Sequence, residues 1–107
     1  MKDSSISAPI ACSLTTAELR NREATLLAEF KSAVTKTEEL PQGYAFHLPG
    51  DSNLIRLMAE LIVAERECCP FLTLELTALP NLGAAIVRIT GPASTKEFLR
   101  SVWCKST

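Results

Sequence analysis

The spacing of the apolar residues switches along this chain between a helical period and a period of two, and Gly or Pro marks most of the switches. Leu19, Leu26, Leu27 and Phe30 form a helical stripe over about 16–31, with Glu23 set among them and Arg22 beside it. Ahead of it, Leu14-Thr15-Thr16-Ala17-Glu18-Leu19 has the form of a capping box with a hydrophobic staple. From Val34 the period shortens: a polar strand runs to Glu39, Leu40-Pro41-Gln42-Gly43 turns the chain, and Tyr44, Phe46 and Leu48 alternate with Ala45 and His47. Pro49-Gly50-Asp51-Ser52 ends that hairpin and caps a second helix, about Asn53 to Cys68, which Pro70 stops. A second hairpin follows, with Leu72, Leu74, Leu76 and Ala78 on one strand, a turn at Pro80-Asn81, and a return strand Gly83 to Thr90 carrying Ala85, Val87 and Ile89 on one side. After Gly91-Pro92, Ser94-Thr95-Lys96-Glu97 is a second capping-box pattern, opening a short helix that turns Phe98, Leu99 and Val102 inward. The order α-ββ-α-ββ-α, with one apolar face per strand, predicts an α+β fold: a mainly antiparallel four-stranded sheet with the helices on its apolar face. The polar face is left to solvent or to a homodimer or regulator partner.

With 107 residues there is room for one domain, here read as 14–103, behind an extended arm at 1–13 and ahead of a tail at 104–107. A chain of this size buries roughly 65% of its unfolded surface, enough for a core without metal or disulfides. Lys and Arg number 11 against 12 Asp and Glu, with the signs scattered, so no basic stripe offers itself to a phosphate backbone and direct nucleic-acid binding is not expected. No apolar run has the length of a membrane span, and Met1-Lys2-Asp3-Ser4-Ser5 lacks the apolar core of a secretory signal, which predicts a cytoplasmic protein. In that compartment the four cysteines read as reduced thiols, and attention moves to metal binding, redox chemistry or packing.

The informative segment is the second helix and its exit, Leu54 to Phe71. At about 100° per residue, Leu54, Ile55, Leu57, Met58, Leu61, Ile62 and Ala64 share one face, and Glu65 falls in the middle of it. Cys68 and Cys69, three and four residues on, straddle the line of Glu65. A carboxylate aimed at a core must be paired, hydrogen-bonded or protonated. Arg22 is the expected partner and Arg20 the next, with the backbone of the Cys12 arm as another; the alternative is that this end of the helix fans outward and Glu65 reaches water.

Three readings of the thiols stay open. They can pack as small apolar groups. They can act as a redox enzyme, Glu65 serving as base for Cys68 or Cys69. They can hold a metal, with Cys12 as third sulfur and Glu65 and Arg22 in support. A helix C-terminus beside acidic residues raises a thiol pKa, which disfavours the enzyme, whereas a metal deprotonates its own ligands. Neither a C-x-x-C pair nor paired histidines are present, and His47 lies on the strand face opposite Tyr44 and Phe46, so structural zinc is disfavoured. Cys12, Cys68 and Cys69 suit a soft ion of low coordination number, Hg(II), As(III) or Cu(I). Cys104 is read as incidental, and a small interaction module with structural cysteines is the third function class.

The pattern Glu65-Arg66-x-Cys68-Cys69-Pro70-Phe71, with Cys12-x-Leu14, Leu19-x-x-Arg22, Gly43-Tyr44-x-Phe46, Gly91-Pro92 and Phe98-Leu99, resembles a family of small, poorly characterised bacterial proteins. Its members look like stand-alone versions of a domain associated with mercury- or heavy-metal-responsive regulators and resistance gene clusters. The resemblance runs from Cys12 to Val102 and implies soft-metal sensing or sequestration, its pattern falling on Cys12, Cys68, Cys69, Glu65, Arg22 and Phe71. His47 inherits no role from it.

Overall fold

The computed structural model describes residues 17–104, Leu19 and Arg20 through their backbone alone. The first capping box, with Leu14 and Thr15, and the arm bearing Cys12 therefore lie outside the described residues. The elements run α1 (Ala17–Ala33), β1 (Lys36–Leu40), β2 (Gly43–Leu48), α2 (Ser52–Cys68), β3 (Thr73–Ala78), β4 (Ala85–Thr90) and α3 (Thr95–Val102). The strands form one antiparallel sheet in the order β1-β2-β4-β3, giving the α+β fold that the alternating periods predict.

Register explains which side chains meet the helices. Tyr44 pairs with Ile89 and Ile89 with Leu74; Phe46 pairs with Val87 and Val87 with Leu76. Alternate residues share a face, so these aromatic and aliphatic groups line the inner surface. Against it pack Leu26, Leu27 and Phe30 of α1, Met58 and Leu61 of α2, and Leu99 of α3. Trp103, just past α3, is 1% exposed and sets its ring edge-on to Phe30, centroids 5.0 Å apart. The outer face carries Lys36, Glu38, His47, Glu75 and Arg88. His47 Nε2 lies 3.0 Å from Glu38 Oε1 there, a contact that lowers the Glu38 pKa. On edge strand β1, Glu39 reaches back to α3 and accepts from Lys96.

Three connections depend on local chemistry. The β1-β2 turn needs Gly43 for space, because a Cβ there would stand 1.8 Å from the carbonyl oxygen of Ile89. Asp51 caps α2 as expected, its Oδ2 accepting from the Leu54 N–H at 3.1 Å. The β3-β4 turn is longer than expected: Asn81 (φ 61°) and Leu82 (φ 56°) are both left-handed, and the Gly83 N–H closes the turn on the Pro80 carbonyl, so the return strand starts at Ala85 and not at Gly83. The backbone matches a type I′ turn, where Asn is suited and Leu is not. Leu82 is 91% exposed, so no packing compensates for its strain. Leu82→Gly should raise stability by about 0.5–1 kcal/mol, read as a higher urea midpoint at unchanged slope; an unchanged or lowered midpoint would show that the turn depends on the leucine.

The capping box proposed at α3 is corrected. Ser94 occupies the N-cap position, but its backbone is left-handed (φ 79°) and its side chain makes no capping hydrogen bond. The turn is closed instead by the Thr95 N–H donating to the Pro92 carbonyl. Among the described residues no helix is long and apolar enough to cross a membrane.

Candidate metal centre

Helix α2 buries Met58, Leu61, Glu65 and Cys68, one continuous line along its inner face. The wheel therefore places Glu65 where the structure has it, fully buried. After Cys68 the chain leaves helical geometry: the Cys69 N–H still donates to the Glu65 carbonyl at 2.6 Å, but Pro70 follows, and Cys69 is extended toward ψ 74°. This break turns the second cysteine back over the first. The Cys69 thiol donates to the Cys68 sulfur at 3.4 Å, and both residues are buried.

The Glu65 carboxyl oxygens and the two sulfurs lie close together. One ligand atom each from Glu65, Cys68 and Cys69 falls within 4.8 Å of the others, an arrangement that could hold a metal ion. Cys69 and Cys104 are free thiols, whereas Cys68 is disulfide-bonded, so its sulfur becomes a thiolate donor on reduction. Cys12, the expected third sulfur, lies outside the described residues. Cys104 is partly buried against the core, away from this group, and burial raises its pKa.

Arg22 does not answer Glu65. Its guanidinium donates to Glu60 at 2.8 Å on the exposed side of the α1-α2 pair, both side chains being more than half accessible. The helix positions explain this: Arg22 and Glu60 sit off the buried stripes of their helices, whereas Glu23 stands three and four residues before Leu26 and Leu27, on the inward stripe. The Glu23 carboxyl, after burial, is what raises the Glu65 pKa. Its position in the apolar stripe was visible in the sequence, but a basic partner was the more economical expectation.

Two facing carboxylates provide no donor to each other. Among the described residues neither buried Glu65 oxygen has a hydrogen-bond partner, and a bond to Glu23 exists only when one carboxyl carries a proton. Burial, and then the Glu23 carboxyl, push the Glu65 pKa up to about 9. Burial, and then Glu65, push the Cys69 thiol up to about 12. In metal-free protein at neutral pH the site thus holds its protons. A protonated Glu65 offers no base to a neighbouring thiol, and an un-ionised Cys69 is a poor nucleophile. A metal cation changes both conditions, since it replaces protons at carboxyl and thiol alike.

A second cleft, about 450 Å³, lies between the β1-β2 turn and α3, lined by Pro41, Gln42, Lys96 and Arg100. Its cations are engaged, Lys96 by Glu39 and Arg100 through the Tyr44 hydroxyl at 3.2 Å. A scan against protein-family models and searches of curated proteins and of solved structures found no match to this chain.

Proposed function

We propose that this protein binds a soft, thiophilic metal ion, Hg(II), As(III) or Cu(I), through thiolates of Cys68 and Cys69, with Cys12 as a third sulfur and Glu65 beside them. The observation that carries this reading is the fully buried Glu65 carboxyl, with no hydrogen-bond donor on either oxygen among the described residues, grouped within 4.8 Å with two cysteine sulfurs. Burial keeps Glu65 protonated in the metal-free protein, and a cation shared with the sulfurs would let it ionise in place. Soft thiolates select soft ions. With the resemblance to proteins associated with mercury and heavy-metal response, the reading becomes sensing or sequestration of such ions in the cytoplasm. Arg22, paired with Glu60, supports the α1-α2 packing and not the ion.

The test begins with protein reduced by a phosphine and freed of reductant, because Cys68 must be a thiol. Titration with Hg(II), followed by thiolate-to-metal charge-transfer absorption, should reach a sharp stoichiometric endpoint. Cys68→Ser should weaken binding by at least about a hundredfold, with a smaller loss in Cys12→Ser. A flat titration of the wild type, or an unchanged endpoint in Cys68→Ser, would overturn the assignment.

A further inference from the structure

The chain has four cysteines, and they are not in one oxidation state. Cys69 and Cys104 are free thiols, whereas Cys68 is half of a disulfide. Elimination leaves Cys12 as the other half. Burial supports a partner within the same chain, because Cys68 is 0% exposed and a second chain could not reach its sulfur without entering the core.

The bridge falls on the metal donors themselves. Cys68 belongs with Glu65 and Cys69 to the group whose ligand atoms lie within 4.8 Å of one another, and Cys12 is the third sulfur of the thiolate reading. The thiolate is the metal ligand, and a disulfide sulfur carries no such charge. With the bridge closed, the group keeps one thiol, Cys69, 3.4 Å from the Cys68 sulfur, and one carboxyl. A soft ion is then short of the sulfur it selects. One two-electron step thus withdraws two sulfur donors together, whereas oxidation at Cys104, away from this group, would leave the site whole.

We propose that the metal site is redox-gated: a disulfide between Cys12 and Cys68 is its closed state, and bridge and bound ion exclude one another. The proposal rests on the thiolate reading above and adds its regulation. Opening takes one dithiol. Its two S–H groups supply two electrons and two protons, the S–S bond between Cys12 and Cys68 breaks, two protein thiols form, and the reductant leaves as a cyclic disulfide. An entering ion then displaces the thiol protons to solvent. Because the ion binds only the reduced form, it also favours reduction: each tenfold rise in free ion above its Kd raises the potential of the couple by about 30 mV. The site takes up ions under reducing conditions and, once loaded, resists the oxidation that would close it.

The full chain, oxidised in air, alkylated in denaturant and mapped without reduction, should yield a peptide pair joining Cys12 to Cys68, with Cys69 and Cys104 alkylated. Titrated with Hg(II), the oxidised protein should give less than about a tenth of the charge-transfer absorption of phosphine-reduced protein. Reduced protein loaded with Hg(II) should re-form the bridge under diamide, an azo oxidant that accepts two electrons and two protons, at least about tenfold more slowly than metal-free protein. Cys12→Ser, given the same oxidant, should keep the endpoint of its own reduced form. A bridge from Cys68 to another cysteine, equal oxidation rates with and without the ion, or loss of the Cys12→Ser endpoint under oxidant overturns the gate, while the thiolate site stands on the reduced titration. If reduced wild type takes no Hg(II), gate and site fall together.

Discussion

Glu65→Gln should make the metal-free protein more stable at neutral pH and flatten its stability profile between about pH 4.5 and 9. The sign follows from linkage. The Glu65 pKa rises from an ordinary 4.5 to about 9 in the folded chain, first through burial and then through Glu23. Its contribution is fully present below pH 4.5, where the carboxyl is protonated in both states, and is lost as pH rises through the window, because the unfolded chain ionises while the folded chain does not. The loss approaches about 1.4 kcal/mol per pH unit and levels off above the folded pKa. Glutamine keeps the shape and a donor toward Glu23 but has no proton to lose. At pH 7 the gain should be on the order of 2–3 kcal/mol. Urea midpoints of wild type and variant, measured across that pH range in metal-free protein, should diverge upward with pH. Parallel profiles would show that Glu65 ionises freely in the folded chain.

Trp103→Ala should cost about 3–5 kcal/mol, a large share of the roughly 5–15 kcal/mol that holds a domain of this size together. Trp103 is 1% exposed and touches elements far apart in the chain, its ring 5.0 Å from Phe30 of α1 and 5.9 Å from Phe46 of β2. Removing it opens a cavity where α1, α3 and the sheet meet, and no single element can collapse into it. Among the described residues the buried indole N–H has no partner, so Trp103→Phe should cost less, about 1–2 kcal/mol, because that polar group goes with the lost ring. Chemical denaturation decides the matter. A cost below about 1 kcal/mol for alanine would place the residue outside the core's critical packing.

Trp103 also marks where sequence reading stopped. Phe98, Leu99 and Val102 could be assigned to the inner face because helical spacing links them, but Trp103 lies past the last turn of α3, where periodicity carries no information. The strands were legible because residues such as Tyr44, Phe46 and Leu48 alternate cleanly and lie opposite the equally alternating Ala85, Val87 and Ile89. Which hairpin strands adjoin was not, since the order β1-β2-β4-β3 is set between units and leaves no mark within either. The Ser94 cap failed for another reason: a capping motif describes side chains, and a left-handed backbone at Ser94 takes the hydroxyl out of position. At the site, the wheel brought Glu65 and Cys68 to one face because both belong to α2. The partner of Glu65 sits on another helix, and pairing between helices obeys the packing of stripes, which carries Glu23 inward and Arg22 outward.

The sheet order has a kinetic consequence. Each hairpin joins neighbours in the chain and can close on the microsecond scale. The β2-β4 seam is different, pairing 43–48 with 85–90 across all of residues 49–84, and its loop-closure entropy must be met before any of its contacts form. Until that seam zips, β1-β2 and β3-β4 can pair only as separate local pieces, with Glu23 in the helix before one and Glu65 in the helix before the other. Refolding should therefore be limited by the joining of the pieces, and substitutions along the seam should slow folding more than equally destabilising ones in either turn.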